Sequence, residues 1–386
     1  MSNTYQVPGD FETIAEAMAE ANNGDTIHLN GQVTSKHVRV EKEIILTGDT
    51  LISTDAVAIG LFASATVQAL RVENPNGHGI VSMKGSPHIE GVTVHVAQTG
   101  LACGGDSSPT VTDCKMESCR IGLSAQGDAS PTVRKLTISS RGTGLLLTGS
   151  MKGHFSEIGI VAGQMAGVEI AGDSKPVLEQ VVVALGGAGG FFIHGEAQPS
   201  LQSCMVQNVQ LAGLEVSESA NPTIDGIQVK SVNGSGLFLH GESRGTFMDI
   251  QVEESALACI EISEKAQPEI ERGHLFRSAA GGLVLKESAR AEVLDLEIHD
   301  NQHIGAETLQ AAVLLLDNCT IASNRAHGVH ARDQSQVSLL RCRISRNSGD
   351  GVLSSGTAKV THQDSAIDEN NGTNLNESGS STIHAS

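Results

Sequence analysis

The chain has no tryptophan and one tyrosine, Tyr5, and aromatic residues make up only 2% of its 386 positions. A globule of that length ordinarily builds its core around several large rings. The core here must therefore come from Val, Ile, Leu and Ala, which suits narrow repeating layers. Proline is scarce (9), and the abundant glycine (43) follows no collagen-like period, so fibrous and low-complexity readings are excluded. Positive charge is also short: 25 Lys and Arg against 44 Asp and Glu leave a formal charge of −19. A nucleic-acid partner needs clustered cations and is excluded on that ground. No apolar run approaches the length of a membrane span, so no membrane partner is expected. Between Met1 and Gly31 no basic stretch leads into an apolar one, so no secretory signal is in view. With seven cysteines, an odd number, the expectation is a cytoplasmic location, or export by a route that needs no signal peptide.

What the chain has instead is a repeat. A Gly followed by an apolar–x–apolar triplet recurs from Gly79 to Gly351, spaced by 21 or 22 residues and then by 23, with Cys259 as the one replacement in the column. Prolines from Pro87 to Pro268 keep the same period, and Asn301, Asn324, Asn347 and Asn370 form a column near the C-terminus. Each triplet alternates inward and outward, as a short strand requires. A single coil cannot bury its apolar face alone, so coils must stack. The predicted fold class is all-β: a single-stranded right-handed parallel β-helix of about fourteen coils, each 21–23 residues long.

Residues 1–50 are assigned to an N-terminal cap and the first coils, 51–370 to the β-helix, and 371–386 to a disordered polar tail. The cap is an amphipathic helix over Phe11–Ala21 with Asp10 as its N-cap, covering the first coil's open edge. No such helix follows the last coil, so oligomerisation through the uncapped C-terminal coil is expected. The glycine column is read as supplying a backbone conformation that other residues resist. Cys114, Cys204, Cys319 and Cys342 fall where other coils carry Leu, Ile or Val and read as small buried hydrophobes, not metal ligands.

The segments CTIASNRAHG (Cys319–Gly328) and CRISRNSGDG (Cys342–Gly351), with FETIAEAMAEANNGDTIHLNG near the start, resemble the pectin-lyase-like superfamily and its short PbH1 or CASH repeats. The resemblance covers roughly residues 5–372 and implies the fold. It implies no single activity, because that superfamily mixes lyases, hydrolases, epimerases, esterases and non-enzymatic domains. The QDTL and DFIFG motifs of pectin methylesterases and the DPHD-type cluster of alginate epimerases are absent. The unbroken period leaves no room between Gly79 and Gly351 for the long calcium-binding loops of pectate lyases.

One outward column reads Leu146, Glu169, Phe192, Glu215, Phe238, Glu261, Val284, Glu307, His330, with His194 and His240 two positions beyond the phenylalanines. Stacked in register, glutamates and apolar residues alternate along one strip. The primary reading is a non-enzymatic scaffold that recognises another macromolecule, a protein before a polysaccharide, through Glu169, Phe192, Glu215, Phe238, Glu261 and Glu307. The alternative is a polysaccharide-active hydrolase, lyase or epimerase. In it Glu215 and Glu261, two coils and roughly 9.6 Å apart, serve as acid and base with His194 or His240 assisting. No metal or cofactor is expected, beyond weak Ca²⁺ binding at acidic turn positions such as Asp173, Glu196, Glu218, Glu242, Glu264 and Glu287, which otherwise read as solvating charge. His28, His88, His154 and His274 read as turn or surface residues.

Overall fold

Three short parallel strands per coil account for the sequence pattern. The structure, a computed structural model, describes residues 2–385. In one coil, strands Val329–Ala331, Gln336–Leu340 and Arg343–Ser345 lie in register against Val352–Ser354, Lys359–Gln363 and Ala366–Asp368 of the next. Single residues in the left-handed region turn the corners: Asp333 (φ 59°), Arg341 (φ 52°) and Arg346 (φ 57°), then Gly356, Asp364 and Glu369 one coil later. Polar residues at these corners face water, and their side chains bond locally, which offsets the steric cost of that conformation.

The glycine column has a different cause from the one expected. Its members do not take positive φ; they are packed too closely for a side chain. A Cβ on Gly305 would lie 2.4 Å from Ile321 Cγ2 and 2.6 Å from the Gly328 carbonyl oxygen. The prolines keep the ladder going through their carbonyls: Thr223 N donates to Pro199 O, and Thr246 N to Pro222 O.

The chain is an all-β right-handed parallel β-helix of about 17 turns, more than the fourteen expected. It divides into two units, Met1–Ala188 and Gly189–Ser386. The first unit carries long strands that run through corners, such as Thr110–Gln126 and Thr132–Thr148, paired along their length with register shifts around Cys119. The second is built of short strands, many of three residues. The stretch beyond 370, expected to be a disordered tail, carries two further strands here. Leu375–Glu377 pairs with Val352–Ser354, and Thr382–Ala385 with Lys359–Gln363.

The cap helix is shorter than predicted. Helix α1 spans Ile14–Glu20, and its N-cap is Thr13, not Asp10. Thr13 Oγ1 accepts from Glu16 N at 3.2 Å while the Glu16 carboxylate accepts from Thr13 N, a reciprocal capping box. Asp10 instead accepts from Gln6 N at 2.9 Å, which places it in the preceding turn. Ile14 and Ala17 bury the inner face, and Lys42 Nζ closes the far end by donating to the Ala21 carbonyl at 2.6 Å.

The core is aliphatic, with Phe155, Phe191 and Phe247 its largest fully buried side chains. All seven cysteines are buried, and none is joined in a disulfide. Burial pushes the thiols of Cys103 and Cys259 up to about 12 and those of Cys114 and Cys119 to about 11, so none of the four is a thiolate near neutral pH. In the second unit the asparagine column forms a buried ladder: Asn324 Oδ1 accepts from both Asn301 N and Asn301 Nδ2, and Asn347 Oδ1 does the same for Asn324.

Candidate active site

Within the second unit the expected strip exists as an in-register column. The middle residues of successive triplets pair Phe192 with Glu215, Glu215 with Phe238, Phe238 with Glu261, and onward through Val284, Glu307 and His330. Each flanking residue is buried, as a period-two strand demands, so the middle side chain is held half-exposed on a rigid base. Glu169 sits in the first unit, where it pairs with Leu146.

The histidines two positions on lie flat against the phenylalanines. The Phe192 and His194 ring centroids are 4.3 Å apart, and those of Phe238 and His240 are 4.4 Å apart, both pairs inclined by 18°. His240 Nε2 lies 3.1 Å from Glu215 Oε1, and its Nδ1 lies 3.8 Å from Glu264 Oε1. The hydrogen bond to Glu215 raises the His240 pKa against the opposing effect of burial, with Glu264 adding to the rise. The imidazolium form is thereby favoured.

Glu261 is differently placed. Lys286 Nζ donates to its Oε1 at 2.7 Å and Ser235 Oγ to its Oε2 at 2.8 Å, so both oxygens are engaged. Glu307 accepts from Arg332 Nη1 at 3.2 Å. Glu215, Glu261 and Glu307 recur every 46 residues, and so do their partners His240, Lys286 and Arg332. The exposed side chains of Leu211 and Leu257, each four residues before a glutamate, keep the same two-coil period. The alternation of Glu with apolar residues hinted at this double repeat. His240 was named as assisting the glutamates, but Lys286 and Arg332 were missed, because each partner lies 25 positions from its glutamate, one coil plus two residues.

Two of the acidic turn residues prove to be structural. Glu218 accepts from Gly195 N at 3.0 Å and Glu264 from Gly241 N at 3.1 Å, each capping the corner one coil earlier. Reading them only as solvating charge overlooked backbone donors that a corner leaves unpaired. A second group was also missed: His274, Glu297 and His299 converge on another strand column, each offering a ligand atom within 4.8 Å of the others. The coil period gave the signal, since His274 and Glu297 are one 23-residue step apart.

The coil geometry and outward columns define a right-handed β-helix protein with a polar strip on one strand face. The sequence profile described as right handed beta helix region matches residues 55–183, 122–273 and 246–386, and the chain belongs to that family. No curated protein sequence matches it. Among solved structures, a double mutant of the periplasmic alginate epimerase AlgG is similar with a TM-score of 0.51 at 14% identity, over 74% of this chain and 78% of that one. The catalytic unit of the thermostable GH87 alpha-1,3-glucanase from Streptomyces thermodiastaticus strain HF3-3 gives a TM-score of 0.53 at 11% identity, over 93% of this chain and 64% of that one. At such identities the likeness is one of fold. Both are enzymes named for polysaccharides, and this corrects the expectation of a non-enzymatic scaffold recognising a protein. The polysaccharide alternative is the one carried forward. No helix among the described residues is long and apolar enough to cross a membrane.

Proposed function

We propose that the protein acts on a polysaccharide lying along the outward triplet column of the second unit, with Glu215 and His240 as the proton-handling pair. The observation that carries this reading is the Glu215–His240 pair resting on the Phe238 ring. With His240 stacked on one face of Phe238, ring and acid–base couple together suit a sugar, whose C–H face meets the exposed aromatic surface while its oxygens meet the couple. The Phe192–His194 platform repeats the arrangement two coils away, roughly 9.6 Å at the backbone, and an extended polymer could occupy both. His240 as imidazolium donates a proton to the substrate and becomes neutral; Glu215, bonded to its Nε2, holds the ring in place and stabilises the imidazolium before that transfer. Both Glu261 oxygens are engaged, by Lys286 and Ser235, and Glu307 by Arg332, so these two glutamates serve to hold the polymer by hydrogen bonds.

The test is incubation of the purified chain with acidic and neutral polysaccharides, products being read by mass spectrometry. The expected result is product from at least one polymer, with turnover falling about 10²-fold or more in Glu215→Gln and in His240→Gln, while polymer retention in affinity electrophoresis persists. Absence of product across the panel, or product unaffected by both substitutions, would overturn the assignment.

A further inference from the structure

We propose that His274, Glu297 and His299 bind one divalent transition-metal ion, with zinc the ion that their donor set fits. His274 lies on strand Gln267–Phe276 and the other two on strand Arg290–His299. The strands pair so that His274 stands opposite Glu297 and Phe276 opposite His299. Glu297 and His299, two apart on one strand, project from the same face. His274 Nδ1 lies 3.3 Å from Glu297 Oε2, and the three donor atoms lie within 4.8 Å of one another.

Two imidazoles and one carboxylate form a set that zinc accepts at bonds of about 2.0–2.2 Å, leaving a fourth position for water. Donors around such an ion stand roughly 3.4 Å apart, so the cluster must contract by about an ångström. Its side chains can do so cheaply, because His274 and Glu297 are 52% and 56% exposed and neither is packed in place. Calcium and magnesium prefer all-oxygen sets and fit less well.

The His299 ring is already oriented for the task. Phe276 stacks on it at 5.2 Å and 8°. Asp300 Oδ2 lies 2.8 Å from His299 Nδ1. A carboxylate that accepts a hydrogen bond from one ring N–H leaves the other nitrogen free as a metal ligand, and such outer partners raise ligand basicity. The cluster stands on a different strand column from the Glu215–His240 pair, so it does not depend on the polysaccharide reading.

Zinc chloride titrated calorimetrically into the full chain tests the site. Wild type should bind one equivalent saturably. His274→Gln/His299→Gln should weaken that event by at least about 100-fold, and Glu297→Gln by about 10-fold. Metal-free melting curves should be nearly unchanged in both variants, since His274 and Glu297 are exposed and His299 is half-exposed. Cobalt(II) added to the wild type supplies a second readout that needs no variant: the intense visible absorption of a four-coordinate site. No saturable equivalent on wild type, equal binding by the double variant, or a cobalt spectrum of the hydrated ion would each overturn the proposal.

Discussion

The outward triplet column differs in character between the two units, although its strands pair in parallel in both. In the first unit it passes through Val81, Ala102, Ser124 and Leu146 before reaching Glu169, all paired in parallel register. In the second it alternates Phe192, Glu215, Phe238 and Glu261 on strands paired the same way. Inward residues of the triplets are buried and mostly aliphatic in both units, with exceptions such as Ser82, Phe191 and Thr308. A strand's two faces are chemically independent, so the inward columns specify the coil and the outward ones are free to carry chemistry. The first unit spends its outward face on small and apolar side chains; the second assembles platforms and charge pairs on it. Fold likeness to enzymes therefore says little about the first unit's face, and the second unit's face is where activity should be sought.

The sharpest way to break this comparison is through the turns that support each face. In the second unit, Asn347 Oδ1 accepts from Asn324 N and Nδ2, and its own amide donates to Ile321 O at 3.1 Å. Asn347→Leu would remove four hydrogen bonds, the Nδ2 bond to Asn370 Oδ1 among them, and should destabilise the protein by about 3–5 kcal/mol. Ser140 occupies the equivalent turn in the first unit and makes one bond there, Oγ to Gly142 O at 3.2 Å. Ser140→Ala should cost only about 1 kcal/mol. Urea unfolding followed by circular dichroism compares the two; equal losses would mean the ladder carries no special share of the second unit's stability.

A smaller effect belongs to the strip's far end. Burial, aided by nearby His327 and Arg332, pushes the His330 imidazole down to about 4. Its Nε2 lies 3.0 Å from Ser355 Oγ. Because the folded pKa lies below the unfolded value of about 6.5, the unfolded chain binds the proton more readily between those limits. The stability associated with neutral His330 is thus complete above about pH 6.5 and is lost as pH falls towards 4, by up to about 3 kcal/mol. His330→Gln should flatten that part of the stability profile. His240 runs the other way: its raised pKa stabilises the fold at low pH, and that contribution fades as pH climbs through the folded value. A profile that His330→Gln leaves unchanged would show that the ring is hydrated in solution.

The fold was legible because its causes are periodic. Gly282, Gly305 and Gly328 recur where a Cβ would strike the next coil, and Asn301, Asn324 and Asn347 recur where turn backbone needs a partner. The left-handed corners were not legible. Asp249, Arg272, Asp295 and Asn318 occupy equivalent corners with quite different side chains, so no residue type marks them. The helix start was misplaced because Asp10 and Thr13 are both good caps, and only the Glu16 that answers Thr13 distinguishes them. In the strip, the column itself could be read from Glu215, Phe238 and Glu261. What escaped was the step of one coil plus two residues that brings His240, Lys286 and Arg332 onto the glutamates. Such diagonal contacts depend on side-chain reach and lean, which spacing alone does not give.

The smallest expected effect concerns ion pairs between coils, the diagonal Lys286–Glu261 pair and the direct one-coil pair Arg134–Glu157. Lys286–Glu261 in the second unit is 38% and 20% exposed, whereas Arg134–Glu157 in the first is 61% and 37% exposed. Solvent screens the more open pair nearly completely, so Arg134→Gln should change stability by no more than about 0.3 kcal/mol. Lys286→Gln should cost about 0.5–1 kcal/mol, since Glu261 keeps only Ser235 as a partner and remains partly desolvated. Double-mutant cycles at low and high salt separate the pairs: the Lys286–Glu261 coupling should survive 1 M salt in part, where the Debye length is about 3 Å, and the Arg134–Glu157 coupling should vanish. If both couplings vanish alike, the second unit's strip is no drier than the first unit's surface. The choice of His240 over Glu261 as partner to Glu215, which rests on Lys286 and Ser235 holding both Glu261 oxygens, would then lose its electrostatic basis.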